Sequence, residues 1–70
     1  MTSNMKDTHV ELRLVRDLVT SLGRSHLLYL VALIADEQRD VALANGEIAH
    51  AYRHAHDAKV LGEVAIRLLD

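Results

Sequence analysis

The chain has 70 residues, half of them hydrophobic, and a formal net charge of −2. This length allows a single domain, and the apolar fraction is too high for a disordered chain. The lack of cysteine excludes disulfides and thiolate metal sites, and the slightly acidic balance gives no electrostatic support to nucleic-acid binding. Many Leu, Val and Ala residues and no proline favour helices over strands.

A first helix is predicted from residue 8, after a polar segment, residues 1–7, that is predicted to be a flexible tail. Thr8 and Glu11 have the spacing of a capping box, which marks a helix start. The apolar residues of this helix recur along one face: Val10, Leu14, Leu18 and Leu22, with Leu12, Val15 and Val19 beside them. Because the stripe covers about half of the circumference, Val10, Leu14, Leu18 and Leu22 are predicted to form an interface. Gly23 is a typical C-terminal stop.

A second helix is predicted over residues 26–39, with Ser25 as its cap. Its apolar residues surround nearly the whole helix: Leu27, Leu28, Leu30, Val31, Leu33 and Ile34. An all-round apolar helix is typical of a buried position. This helix is therefore predicted to be the centre of the core.

Two shorter helices are predicted after a connector at residues 41–44. Asn45 is the predicted cap of a third helix that runs to about residue 58, with Ile48, Ala51, Tyr52 and Ala55 as its apolar stripe. Lys59 and Val60 are predicted to make a tight connection. The fourth helix, residues 61–70, is predicted to bury Leu61, Val64, Ala65, Leu68 and Leu69. Residues 8–70 would then form one all-α domain, a compact bundle of about four short helices.

Glu47, His50 and His54 have the spacing of three potential metal ligands on one helical face. A metal site needs three or four converging ligands, so a further group from elsewhere in the chain would be required. A solvated polar face is the favoured interpretation, and neither a metal nor another cofactor is predicted.

No sequence pattern supports catalysis, because the chain has no cysteine nucleophile, no nucleophile elbow and no glycine-rich phosphate loop. We therefore expect no enzyme and no small-molecule substrate. The longest apolar run, residues 27–35, is too short to span a bilayer, and the polar start lacks a signal-peptide core. These features predict a cytoplasmic protein without a membrane association.

The order of the predicted helices is that of a helix-turn-helix, although any small helical bundle has short helices and short turns. Three segments carry a resemblance: residues 25–33, SHLLYLVAL; residues 45–48, NGEI, with Ala51-Tyr52-Arg53; and residues 64–70, VAIRLLD. They resemble winged-helix DNA-binding domains, nearest the C-terminal domain of archaeal origin-recognition initiator proteins. The resemblance implies a recognition helix at about residues 61–70 and no complete wing.

Two functions are therefore predicted. The leading one is a dimeric DNA-binding or transcription-regulating module whose groove face includes Arg53, Lys59 and Arg67 and whose first helix builds the dimer. The alternative is a protein-interaction module, such as a small regulatory or inhibitory subunit, that associates through its first and second helices. The alternative is motivated by the apolar surface of these helices, which exceeds what a 70-residue monomer readily covers.

Overall fold

Three α-helices make up almost all of the chain that the computed structural model describes, which is residues 5–69, with side chains from residue 8 onward. They are α1 (Met5–Leu22), α2 (Arg24–Ala44) and α3 (Ile48–Arg67). No strand occurs within residues 5–69. The predicted all-α class is confirmed.

α2 and α3 form an antiparallel hairpin. The turn at residues 45–47 is closed by backbone hydrogen bonds, in which Gly46 N–H donates to the Leu43 carbonyl (3.1 Å) and Glu47 N–H to the Ala42 carbonyl (2.8 Å). Gly46 has a φ of 74°, which favours glycine. Asn45, the predicted cap of the third helix, is instead the C-cap of α2, and Glu47 takes the N-cap position of α3.

The contact between α2 and α3 is a seam of small residues. Every buried hydrophobic residue in the described chain is an alanine: Ala32, Ala35, Ala42, Ala51 and Ala65. Along α3, Ala51, Ala55, Ala58, Gly62 and Ala65 alternate spacings of four and three, the repeat of a coiled-coil seam. Small side chains at the buried alanines let the two helices approach closely, so the hairpin packs without a single large, fully buried side chain among the described residues.

α3 is one continuous helix, where two helices were predicted. The expected break at Lys59 and Val60 is absent, and the expected connector at residues 41–44 is the last turn of α2. No proline interrupts the segment, and packing against α2 along the seam outweighs weak local signals for a turn. The described chain therefore has three helices rather than four, without the predicted helix-turn-helix layout.

The predicted helix starts are also shifted. α1 begins at Met5, so Thr8 lies inside α1 and the helix extends into the predicted tail; residues 1–4 of that tail lie outside the described residues. α2 begins at Arg24 after Gly23, which makes no side-chain cap. Ser25 is therefore not the cap, and its hydroxyl donates instead to the Ala65 carbonyl on α3 (2.6 Å).

α1 projects from the hairpin as an arm. Gly23, with a φ of 84°, is the only residue between α1 and α2, and the chain bends there by 112°. No described Cα atom of α1 lies within 8 Å of one in α3. The radius of gyration is 14.5 Å, compared with about 11 Å for a compact domain of this length. The arm is thus held away from the hairpin.

Within the described range, no single helix combines the length and hydrophobicity needed to cross a membrane, although α1 and α2 meet this length and composition jointly as a bent pair.

Candidate interaction surface

The arm exposes a row of large apolar side chains, which we call the α1 face: Val10, Leu12, Leu14, Val15, Leu18 and Leu22. Their exposed fractions range from 38% at Leu22 to 60% at Leu14. The set includes all four residues that the sequence predicted as an interface. Because α1 bends away from the hairpin, these side chains are largely uncovered by the described part of the chain, and only Leu22, next to the elbow, lies in a hollow shared with Leu68.

The opposite side of α1 is polar. It carries Arg13, Arg16, Asp17 and Thr20, and the Thr20 hydroxyl donates to the Arg16 carbonyl one turn earlier (3.0 Å). α1 is therefore amphipathic, with one side suited to water and one side suited to a protein surface.

A second apolar row on α2, which we call the outer α2 stripe, lies to one side of the alanine seam: Leu27, Leu30, Val31, Ile34 and Val41. Val41, at the end of this stripe, also borders the groove between α2 and α3. At 100° per residue these positions centre roughly 110° around the helix from the alanine seam. Ile34 and Val41 are 51% and 61% exposed, and Leu27 and Leu30 are half-buried. The prediction that α2 is buried all round is wrong, because only its alanines Ala32, Ala35 and Ala42 are fully buried.

The predicted apolar stripes of the C-terminal half are only partly covered. Ala51 and Ala65 are buried, while Ile48, Tyr52, Leu68 and Leu69 are exposed. Ala55, Leu61 and Val64 are half-buried. The reason is geometrical: among the described helices α3 packs against α2 alone, so a single narrow face of α3 is buried. Tyr52 and Ile48, with Leu43 of α2, line a shallow apolar groove near the turn.

The three predicted DNA contacts, Arg53, Lys59 and Arg67, are all exposed on α3. They are spread over about 21 Å of helix and more than a quarter of its circumference, from the rise and rotation per residue. Asp57 and Glu63 are interleaved with them. The structure thus does not gather the three cations into one patch on a separate recognition helix.

Glu47, His50 and His54 line a groove between α2 and α3 together with Glu37, Gln38 and Val41. Within the described residues, no group of three or more His, Asp and Glu side chains is arranged to hold a metal ion. The groove is a polar cleft beside the turn of the hairpin.

Two features of this surface were missed by the sequence reasoning, although a signal exists for each. Leu27, Val31 and Ile34 are spaced by four and then three residues, which is the signature of a helix-packing seam. The small residues of α3 repeat with the same spacing, and the buried alanines of α2 are three and seven residues apart, but both sets have larger apolar neighbours in the sequence. If the alanines had been interpreted as the packing seam, the larger apolar residues would have been predicted to lie on the outer surface of the hairpin.

No protein-family model, curated protein or solved structure matches this chain.

Proposed function

We propose that the chain is a non-catalytic protein-interaction module that completes its hydrophobic core by binding a helical surface of a protein. The observation that carries this proposal is the α1 face, whose six large apolar side chains are each at least 38% exposed. Two surfaces would take part, the α1 face and the outer α2 stripe.

The energetics of the isolated chain support association. Among the residues that the structure describes, five alanines are the buried ones, and they contribute little hydrophobic stabilisation. A domain of this size is marginal even with a full core. Complete burial of one Leu or Val side chain stabilises a protein by about 1.5–3 kcal/mol. A partner that covers the α1 face would therefore supply stabilisation comparable to the whole stability of a small domain.

The shape of the surface is also that of an interaction site. Contiguous apolar patches are uncommon on monomeric proteins and mark sites of association. The α1 face is elongated, about 18 Å from Val10 to Leu22 at 1.5 Å per residue. A polar and charged side lies opposite it on the same helix. This is the geometry of a helix that packs lengthwise on another helix.

The DNA-binding interpretation loses the break between helices on which its layout depended, because α3 is continuous across Lys59 and Val60. DNA binding and the winged-helix resemblance stay predictions, and the cations Arg53, Lys59 and Arg67 are what still supports the former.

Photo-crosslinking in the cells that make the protein tests the proposed function. A photoreactive amino acid would replace Leu14 on the α1 face, and the matched control would replace Thr20 on the polar side of the same helix. We expect protein adducts from position 14 and far fewer from position 20. Equal yields from both positions, or no adduct from position 14, would overturn the proposal.

A further inference from the structure

We propose that the partner is a second copy of this chain, and that the α1 face of each copy packs on the outer α2 stripe of the other. This inference rests on the proposed function, since it names the occupant of the same surface. It follows from the elbow at Gly23, from the match between the two apolar rows and from the surface area of the chain.

The elbow prevents α1 from covering the outer stripe of its own α2. Two helices that fold back on each other need a loop of about two to five residues, and the α2–α3 turn uses residues 45–47. Only Gly23 separates α1 from α2, and the helices diverge there with a bend of 112°. The α1 face can therefore reach an outer α2 stripe only in another molecule.

The two rows match in length and in spacing. The α1 face extends about 18 Å from Val10 to Leu22, and the outer stripe about 21 Å from Leu27 to Val41, at 1.5 Å per residue. Val15, Leu18 and Leu22 are separated by three and then four residues. Val31 and Ile34 are separated by three residues, and Ile34 and Val41 by seven, with Gln38 at the position four residues after Ile34. Rows with this spacing pack with their helix axes nearly aligned.

The chemistry of the stripe suits burial. Between residues 25 and 35, α2 contains no Asp, Glu, Lys or Arg. Its charged residues Asp36, Glu37, Arg39 and Asp40 follow that segment. Arg39 is paired with the carboxylates of Asp36 and Asp40, at 3.2 and 3.1 Å. Burial of an unpaired charge is the main free-energy cost of covering a surface. Packing of α1 on residues 27–34 would bury no charge of α2.

The surface area agrees with an obligate dimer. The chain exposes 5917 Å², whereas a compact monomer of its 7.8 kDa mass exposes about 4400 Å². The excess is about 1500 Å² per chain, or about 3000 Å² for two chains, and obligate homodimers bury about 2000–5000 Å². The excess thus lies within the range of area that such a dimer buries.

Reciprocal exchange accounts for both rows with one symmetric contact. A dimer in which α1 packs on α1 would cover the α1 face and leave Ile34 and Val41 in water. In the exchanged dimer each copy gives its α1 face and receives the other on its outer stripe, which closes a twofold assembly that uses both rows.

Sedimentation equilibrium of the purified full chain tests the inference directly. We expect a mass of 15.6 kDa, twice the 7.8 kDa of one chain, over the micromolar range. A mass of 7.8 kDa at 100 µM (a concentration chosen on the order of 100-fold above a micromolar Kd) would overturn the homodimer.

Two single substitutions test the exchange. Leu14→Lys alters the α1 face, Ile34→Lys alters the outer stripe, and Thr20→Lys on the polar side of α1 is the control. Each of the first two variants is expected to sediment as a monomer, and the control as a dimer. A dimeric Ile34→Lys variant beside a monomeric Leu14→Lys variant would overturn the exchange, because α1 would then pair with α1.

The wild-type mass keeps this inference falsifiable even if a variant fails to fold, and it separates the two proposals. A monomeric wild-type chain that still forms adducts with a different protein through position 14 would refute the second-copy inference and leave the proposed function standing. A monomeric chain without such adducts would refute both.

Discussion

The hydroxyl of Ser25 donates a 2.6 Å hydrogen bond to the carbonyl oxygen of Ala65, 40 residues later in the chain. The bond joins the first turn of α2 to the last turn of α3 and so fastens the open end of the hairpin, opposite the turn at residues 45–47. It lies beside the elbow, where Leu22 of α1 and Leu68 line the same hollow. The bond thus holds together the end of the hairpin from which the arm projects.

Replacement of Ser25 by alanine is expected to lower the free energy of unfolding by about 1 kcal/mol, because a part-buried hydrogen bond between two helices is lost. Urea denaturation at one fixed protein concentration measures the change. Ser21→Ala is the control, since Ser21 is exposed on α1. Equal midpoints for the two variants would show that the Ser25 bond contributes nothing.

Replacement of Ala35 by leucine is expected to destabilise the hairpin by about 1–3 kcal/mol, because the seam has no room for a larger side chain between closely packed helices. Ala35 is only 6% exposed. The matched control is Ala44→Leu at the exposed end of α2. If Ala35→Leu unfolds at the same urea concentration as this control, the alanine seam is not the contact between α2 and α3.

The same substitution at two glycines is expected to have opposite effects. Gly62 lies inside α3, and a Cβ added there meets nothing within 4 Å, so Gly62→Ala should stabilise the helix by about 0.5–1 kcal/mol. Gly46 has a φ of 74°, so Gly46→Ala should destabilise the turn by about 1 kcal/mol. Thermal melts followed by circular dichroism at matched concentration measure both. A stabilising change at Gly46 would mean that the turn differs from the one described.

The melting temperature of the wild-type chain is expected to rise with protein concentration, because dimerisation stabilises the folded state by mass action. Each tenfold increase adds about 1.4 kcal/mol at 25 °C to the stability of a folded dimer relative to unfolded monomers, which corresponds to several degrees for a small domain. Melts at 2, 20 and 200 µM, spanning about two orders of magnitude around a micromolar Kd, measure this. Leu14→Lys should melt at one temperature throughout.

Duplex DNA is expected to bind weakly or not at all, because Arg53, Lys59 and Arg67 are dispersed along a continuous helix that also carries Asp57 and Glu63. DNA binding depends on donors that reach phosphates and base edges, and the two carboxylates among these cations repel phosphates. A gel-shift titration at low ionic strength measures this. Salt-sensitive binding that is lost in the Arg53→Gln, Lys59→Gln and Arg67→Gln triple variant would contradict the expectation and favour the DNA-binding prediction.

Much of the helical content could be predicted from local signals. Leu, Ala and Val residues without proline predicted an all-α chain, and the recurrence of Val10, Leu14, Leu18 and Leu22 predicted an apolar face on the first helix. Gly23 ended that helix where expected. These features depend on neighbours within one or two helical turns, so they can be predicted from the sequence.

The division of the C-terminal half was predicted incorrectly because local cap signals are weaker than packing. Asn45 resembles a helix start but forms the C-cap of α2, and Lys59 and Val60 continue α3 because the alanine seam extends past them. Contacts between residues 40 positions apart, such as Ser25 and Ala65, are not encoded in any local pattern.

Helicity and amphipathic faces therefore follow from the order of the residues, since both depend on spacing along one helix. The antiparallel packing of α2 and α3 determines which apolar face is buried. The alanines are buried in preference to the larger Leu, Ile and Val side chains, because alanines allow the closest approach of two helices. The direction of α1 depended on the single-residue elbow at Gly23, which is too short to fold the arm back. Together these two effects leave the α1 face and the outer α2 stripe exposed.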